Sequence, residues 1–183
     1  MKEYLLELLN EEVPARFQED ATRILKERMK AVCLSAGVAV SSLEAYGTPR
    51  RLVLHGELAE EIPAHTEERR GPKGEAPESI LQGFLAHLPT YAQTEKRETP
   101  KGSYWFALLP HPVRSTREVL PDLIAQVLTQ FPWPKTMRWG SSSFAWVRPL
   151  RNIFCLFAGT PLDFTFQGLQ MTDETVGHRF LAP

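Results

Sequence analysis

Apolar residues recur along this chain in two rhythms, a helical three-to-four spacing and a strand-like alternation, and the changes of rhythm mark its elements. Tyr4 to Leu9 is a short apolar run that predicts a buried strand feeding a helix. Asn10 stands where it can cap that helix, Glu11 and Glu12 suit the positive end of a helix dipole, and Pro14 is tolerated in a first turn. Phe17, Ala21, Ile24, Leu25, Met29, Val32, Cys33 and Ala36 then place one stripe against a core, and Gly37 is positioned to end the helix. Leu43–Tyr46 and Arg51–Leu58 read as strands joined through Gly47-Thr48-Pro49-Arg50, a turn by its glycine and proline.

Residues 63–78 are polar and read as an exposed loop. Residues 78–88 carry Ile80, Leu81, Phe84, Leu85 and Leu88 at helical spacing. Tyr91–Thr94 and Ser103–Leu109 predict a hairpin turning at Pro100-Lys101-Gly102. Ser115-Thr116-Arg117-Glu118 is a capping box before a helix with Val119, Leu120, Leu123, Ile124, Val127 and Leu128 inward. Pro121 either kinks that helix or begins it. Ile153–Ala158 is apolar throughout, as in a strand buried on both faces, and Leu162–Phe166 alternates like a hairpin partner. The predicted fold class is therefore α+β, mainly antiparallel sheets and hairpins with about three helices packed on them. It divides as a lobe over 1–62, the loop over 63–78 and a second α+β lobe over 79–183, packed as one compact unit. The close at Gly177-His178-Arg179-Phe180-Leu181-Ala182-Pro183 reads as a cut from a longer chain.

The stretch from Phe131 to Arg151 departs from this ordinary pattern. It holds four basic residues, no acidic one and three of the four tryptophans. Two X-Pro steps keep its start extended, and Gly140 with three serines permits a turn before a strand-like run over 144–151. Fixed aromatics among guanidinium groups suit a phosphate- and base-contacting surface. They equally suit a packed corner with solvated arginines. Composition does not decide between the two, because the net charge of −1 gives no global attraction to nucleic acid.

A chain of 183 residues is long enough to bury a proper core. Cys33 and Cys155 sit inside apolar periodic segments, far apart in sequence, and read as small buried hydrophobes rather than a disulfide or metal site. No apolar run is long enough to span a membrane and no signal-peptide pattern opens the chain, so a cytoplasmic location and no membrane partner are expected. There is no Gly-x-Ser-x-Gly elbow, and the five histidines stand singly, so neither catalytic residues nor a metal site are predicted. Gly71-Pro72-Lys73-Gly74 lacks the spacing and context of a phosphate loop. Arg50, Arg51 and the His178-Arg179 pair form a second set of candidates for anion or RNA contact, the alternative being solvation or a structural role.

Seven pieces occur in a fixed order: Glu11-Glu12-Val13-Pro14-Ala15, Thr48-Pro49-Arg50-Arg51-Leu52, Arg70-Gly71-Pro72, Lys101-Gly102-Ser103-Tyr104, Pro134-Lys135-Thr136-Met137-Arg138-Trp139-Gly140, Val147-Arg148-Pro149-Leu150-Arg151 and Thr175-Val176-Gly177-His178-Arg179-Phe180. In that order they resemble the N-terminal region of the bacterial glycyl-tRNA synthetase β subunit, of the heterotetrameric α2β2 type. The chain departs from the family at Leu9-Asn10, where a Gly-Thr is usual, in a shortened segment around Ala76–Pro89, and at Trp133 before Pro134. The resemblance implies an aminoacyl-tRNA synthetase, a ligase in which the α subunit uses ATP and Mg to activate glycine. This region would itself hold no cofactor. Implied partners are the α subunit, tRNA(Gly) and the remainder of the β chain. Implied tRNA-binding residues are Lys135, Arg138, Trp139, Arg148 and Arg151. A scaffold that docks protein and touches no RNA is the competing reading.

Overall fold

The structure, a computed structural model, describes residues 1–140 and 142–177. In chain order its elements are β1 (Lys2–Asn10), α1 (Ala15–Ser35), β2 (Val40–Thr48), β3 (Arg51–Leu58), β4 (Glu61–Ile62), β5 (His65–Lys73), α2 (Glu78–Ala86), β6 (Gln93–Thr99), β7 (Gly102–His111), β8 (Arg114–Ser115), α3 (Thr116–Thr129), β9 (Leu150–Phe157), β10 (Thr160–Pro161), β11 (Thr165–Phe166) and β12 (Leu169–Gln170). This is the α+β class the residue pattern predicts, with antiparallel strand pairing in the five-stranded sheet, in the β5-β7-β6 sheet and in the β11-β12 pair. No helix among the described residues is long and apolar enough to cross a membrane.

The chain forms two compact units. The first joins Met1–Ile62 to the chain from Ser115 onward, and the second is Pro63–Arg114. The predicted division into lobes over 1–62 and 79–183 about a loop thus differs from the fold. The reason is one long-range pairing. β1 lies between β3 and β9 in a sheet ordered β10-β9-β1-β3-β2, with Leu8 opposite Ile153 and Tyr4 opposite Phe157. Local periodicity carries no signal for a partner that far along the chain.

Strand alternation sets the core of the first unit. Tyr4, Leu6 and Leu8 of β1, Leu52, Leu54 and Leu58 of β3, and Ile153, Cys155 and Phe157 of β9 face Leu25, Met29 and Cys33 of α1 and Leu120, Ile124 and Val127 of α3. Each fully buried leucine contributes about 1.5–3 kcal/mol. β9 is fully buried on one face only, whereas the both-faces burial its apolar run predicts is not reached: Asn152, Phe154 and Leu156 on the other face are half-buried, with Thr172 bridging Phe154. Helix α1 ends as Gly37 predicts. Gly37 has φ +79°, and the N–H groups of Gly37 and Val38 donate to Leu34 O and Cys33 O at 3.1 and 2.8 Å.

Neither predicted side-chain cap forms. Helix α1 starts after Pro14, leaving Asn10 at the end of β1, and Ser115 precedes α3 without a capping bond. Pro121 lies inside α3 rather than starting it.

In the second unit, the segment predicted as an exposed loop over 63–78 instead carries β5, paired with β7, while β6 takes the other side of β7. The polar run His65–Lys73 becomes a strand because the backbone ladder to β7 holds it, with guanidinium groups laid over the β7 rings. Arg70 lies 3.9 Å over the Tyr104 ring, and Arg97 of β6 lies 4.8 Å over Phe106. The Phe84 ring of α2 rests on Gly71, where an added Cβ would come within 2.6 Å of it.

Candidate nucleic-acid interface

The Phe131–Arg151 stretch is organised from its rings outward. Phe131, Trp133, Phe144 and Trp146 are buried and form a chain of contacts with centroids 4.6–5.7 Å apart, which Phe166 extends. Trp146 is fully buried, and its indole N–H donates to Asn10 Oδ1 at 2.7 Å. The Asn10 amide in turn donates to Leu8 O at 2.9 Å. The residue expected as a cap is therefore a buried polar link that satisfies a tryptophan. The strand-like run predicted over 144–151 is irregular until β9 begins at Leu150. It is fixed by one bridge, in which Met137 and Trp146 exchange backbone bonds of 2.8 and 3.1 Å. Gly140, at φ +59°, makes the expected turn.

The basic candidates divide by what they touch. Lys135, Arg138 and Arg148 are exposed and have no acidic partner among the described residues. Trp139 is half-buried, edge-on to Phe144 at 5.9 Å. Arg151 meets Glu11 at 3.2 Å, and Arg50 meets the same carboxylate at 3.4 Å. Arg51 is the most engaged. It pairs with Glu7 at 2.7 Å, donates to Thr175 Oγ1 at 3.0 Å, and also reaches the carbonyls of Val176 and Gly177. His178 and Arg179 lie outside the described residues.

Backbone bonds gather these pieces at one edge of the first unit. Asn10 N–H donates to Arg50 O at 2.7 Å, Glu11 N–H to Pro149 O at 2.9 Å, and Val13 N–H to Pro49 O at 2.6 Å. Three motifs distant in sequence thus meet beside β1. Sequence reasoning missed Glu7 and Glu11 as the residues that engage Arg50, Arg51 and Arg151. The available signal was Glu7 itself, a carboxylate inside the apolar run Tyr4–Leu9.

Among the described residues, no group of three His, Cys, Asp or Glu side chains is placed to hold a metal. The pronounced titration shifts lie in the core, where burial raises the Tyr4 hydroxyl and lifts the Cys33 and Cys155 thiols to about 11 and about 12. The exposed cations Lys135, Arg138 and Arg148 are groups of the kind that bond phosphate oxygens.

Comparison with known sequences gives the chain its place. A sequence model of the family described as "Glycyl-tRNA synthetase beta subunit" matches residues 4–183. The proteins named "Glycine--tRNA ligase beta subunit" from Dinoroseobacter shibae, Paracoccus denitrificans and Phenylobacterium zucineum are 43%, 41% and 38% identical, each over all of this chain. The chain covers 26%, 28% and 27% of their lengths, corresponding to their N-terminal part. These matches set it among the aminoacyl-tRNA synthetase subunits. More particularly, the chain belongs to the glycyl-tRNA synthetase β-subunit family.

Proposed function

We propose that this region supports tRNA binding by a cytoplasmic glycine–tRNA ligase, while the partner α subunit carries the ATP- and Mg-dependent activation of glycine. Among the described residues we assign it no catalytic group. Lys135, Arg138 and Arg148 hold the tRNA backbone, and the buried Trp133 and Trp146 of the same stretch anchor the protein chain that carries them. Arg151, Arg50 and Arg51 act mainly as struts, because carboxylates already engage them. The observation that supports this most is the exposure of three unpaired cations within a stretch free of acidic residues. The test is charge reversal of Arg138 and Arg148 in the full-length β chain. The expected result is weaker tRNA binding with α–β association intact.

A second reading is favoured by a different observation. The motif arginines Arg50, Arg51 and Arg151 are spent on intramolecular pairs, as in a scaffold that docks protein. In that case the same reversals lower assembly with the α subunit or the rest of the β chain and leave a separated β–tRNA interaction unchanged.

A further inference from the structure

The five-stranded sheet has two faces, and the helices of the first unit use one. Tyr4, Leu6 and Leu8 point toward α1 and α3, so Leu5 and Glu7 of β1 point the other way. Val53 of β3, Tyr46 of β2, and Phe154 and Leu156 of β9 share that outward side. Strand register sets them in two adjacent rows, Leu156-Leu5-His55-Glu44 and Phe154-Glu7-Val53-Tyr46. A sheet face left to solvent ordinarily alternates into polar residues. Here five of the eight positions are apolar, with Leu5, Val53, Phe154 and Leu156 half-buried and Tyr46 60% exposed. The polar positions are already engaged. Glu7 pairs with Arg51 at 2.7 Å, Glu44 with Lys26 at 2.7 Å, and His55 meets Glu3 at 3.2 Å. With no unpaired cation in these rows, the face suits an apolar protein surface rather than a phosphate backbone.

One stretch of chain already lies across it. Thr172 bridges Phe154, and Asn152 Nδ2 donates to Glu174 O at 3.0 Å. Thr175 Oγ1 donates to Glu7, while Arg51 donates to Thr175 Oγ1 at 3.0 Å and to Gly177 O at 3.3 Å. Residues 172–177 therefore run from β9 past β1 to β3 on the side away from the helices, and Val176 adds an apolar side chain that is 54% exposed. In the relatives this region is 26–28% of the β subunit, at its N-terminal end, and the rest follows it. The patch spans four strands about 4.8 Å apart and two rows about 7 Å apart, on the order of 100–200 Å². Separate proteins in a stable complex bury about 800 Å² each, so a tethered occupant at high effective concentration fits this patch better.

We propose that the sheet face opposite α1 and α3 is covered by the part of the β chain that follows residue 183, packed beside the crossing segment 172–177 and burying Tyr46, Val53 and Leu156. Its burial is independent of whether the edge at Lys135 binds tRNA.

The test places a benzophenone photo-crosslinking side chain at position 46 of the full-length β chain, assembled with the α subunit. Tyr46 lies outside the core, so the replacement leaves the core intact. Illumination is expected to join position 46 to a β-chain peptide beyond residue 183, in a product that migrates as a single β chain. A second measurement needs no variant. In hydroxyl-radical footprinting of the same assembly, Tyr46 and Phe154 are expected to oxidise as slowly as the buried Tyr4 and Phe157. Cross-links only to the α subunit, only between two β chains, or only within residues 1–183 overturn the assignment. Tyr46 oxidising at the rate of a solvent-exposed tyrosine overturns it as well.

Discussion

Removing the Asn10 side chain tests how the aromatic base is held. Asn10 is fully buried, and its amide makes two bonds, donating to Leu8 O at 2.9 Å and accepting from Trp146 Nε1 at 2.7 Å. Asn10→Ala deletes both and leaves a buried indole N–H unpaired. Each lost bond costs about 1 kcal/mol and the stranded donor about 1–3 more, giving roughly 3–5 kcal/mol. For a chain of this size that corresponds to a fall of about 6–20 °C in melting temperature. Trp146→Phe strands the other partner, Asn10 Oδ1. Urea unfolding of the 183-residue chain, followed by near-ultraviolet circular dichroism, gives both single costs. The double variant closes the cycle and should return a coupling of about 1 kcal/mol or more. A cost for Asn10→Ala under about 0.5 kcal/mol, or strict additivity, would mean that packing alone holds Trp146.

Gly56→Ala should abolish the β2–β3 pairing, since the new Cβ would lie 2.1 Å from Ser42 O at the bulge between Val40 and Ser42, and hydrogen exchange across both strands reads this. Cys33 and Cys155 should resist thiol reagents at pH 8 until the chain unfolds, because burial raises their pKa values to about 11 and about 12. Since the unfolded thiols ionise near pH 8.5 and the folded ones do not, stability should fall as pH rises from there toward 11–12. Urea midpoints that stay flat over that range would contradict this. Glu11→Gln should cost at most about 1 kcal/mol, as its pairs are partly exposed, and by releasing Arg50 and Arg151 it should raise tRNA affinity at low salt, as titration would show.

Local elements were legible because periodicity, glycine and proline act within a few residues. Gly37, the Pro49-Arg50 turn and the hairpin turning at Pro100-Lys101 follow directly from their sequence. What lay hidden was long-range. Asn10 has a cap's identity, but its partner Trp146 stands 136 positions away. β5 carries no apolar alternation, and its hold on β7 comes from the backbone ladder and from the Arg70 guanidinium lying over Tyr104. The candidate cations were all visible as residues. The division into free Lys135, Arg138 and Arg148 and engaged Arg50, Arg51 and Arg151 was not, because it depends on Glu7 and Glu11 arriving from β1 and its exit.

Contact between Lys135, Arg138, Arg148 and tRNA phosphates is tested most directly by the salt dependence of binding. Each neutralised phosphate contributes a slope of about −0.7 to −0.9 to log K against log salt. Replacing all three residues by alanine in the full-length β chain should therefore make the slope less negative by about 2 to 2.7, with the fold unchanged. A triple variant that keeps the wild-type slope and affinity would contradict tRNA contact at this edge and leave protein docking as its role.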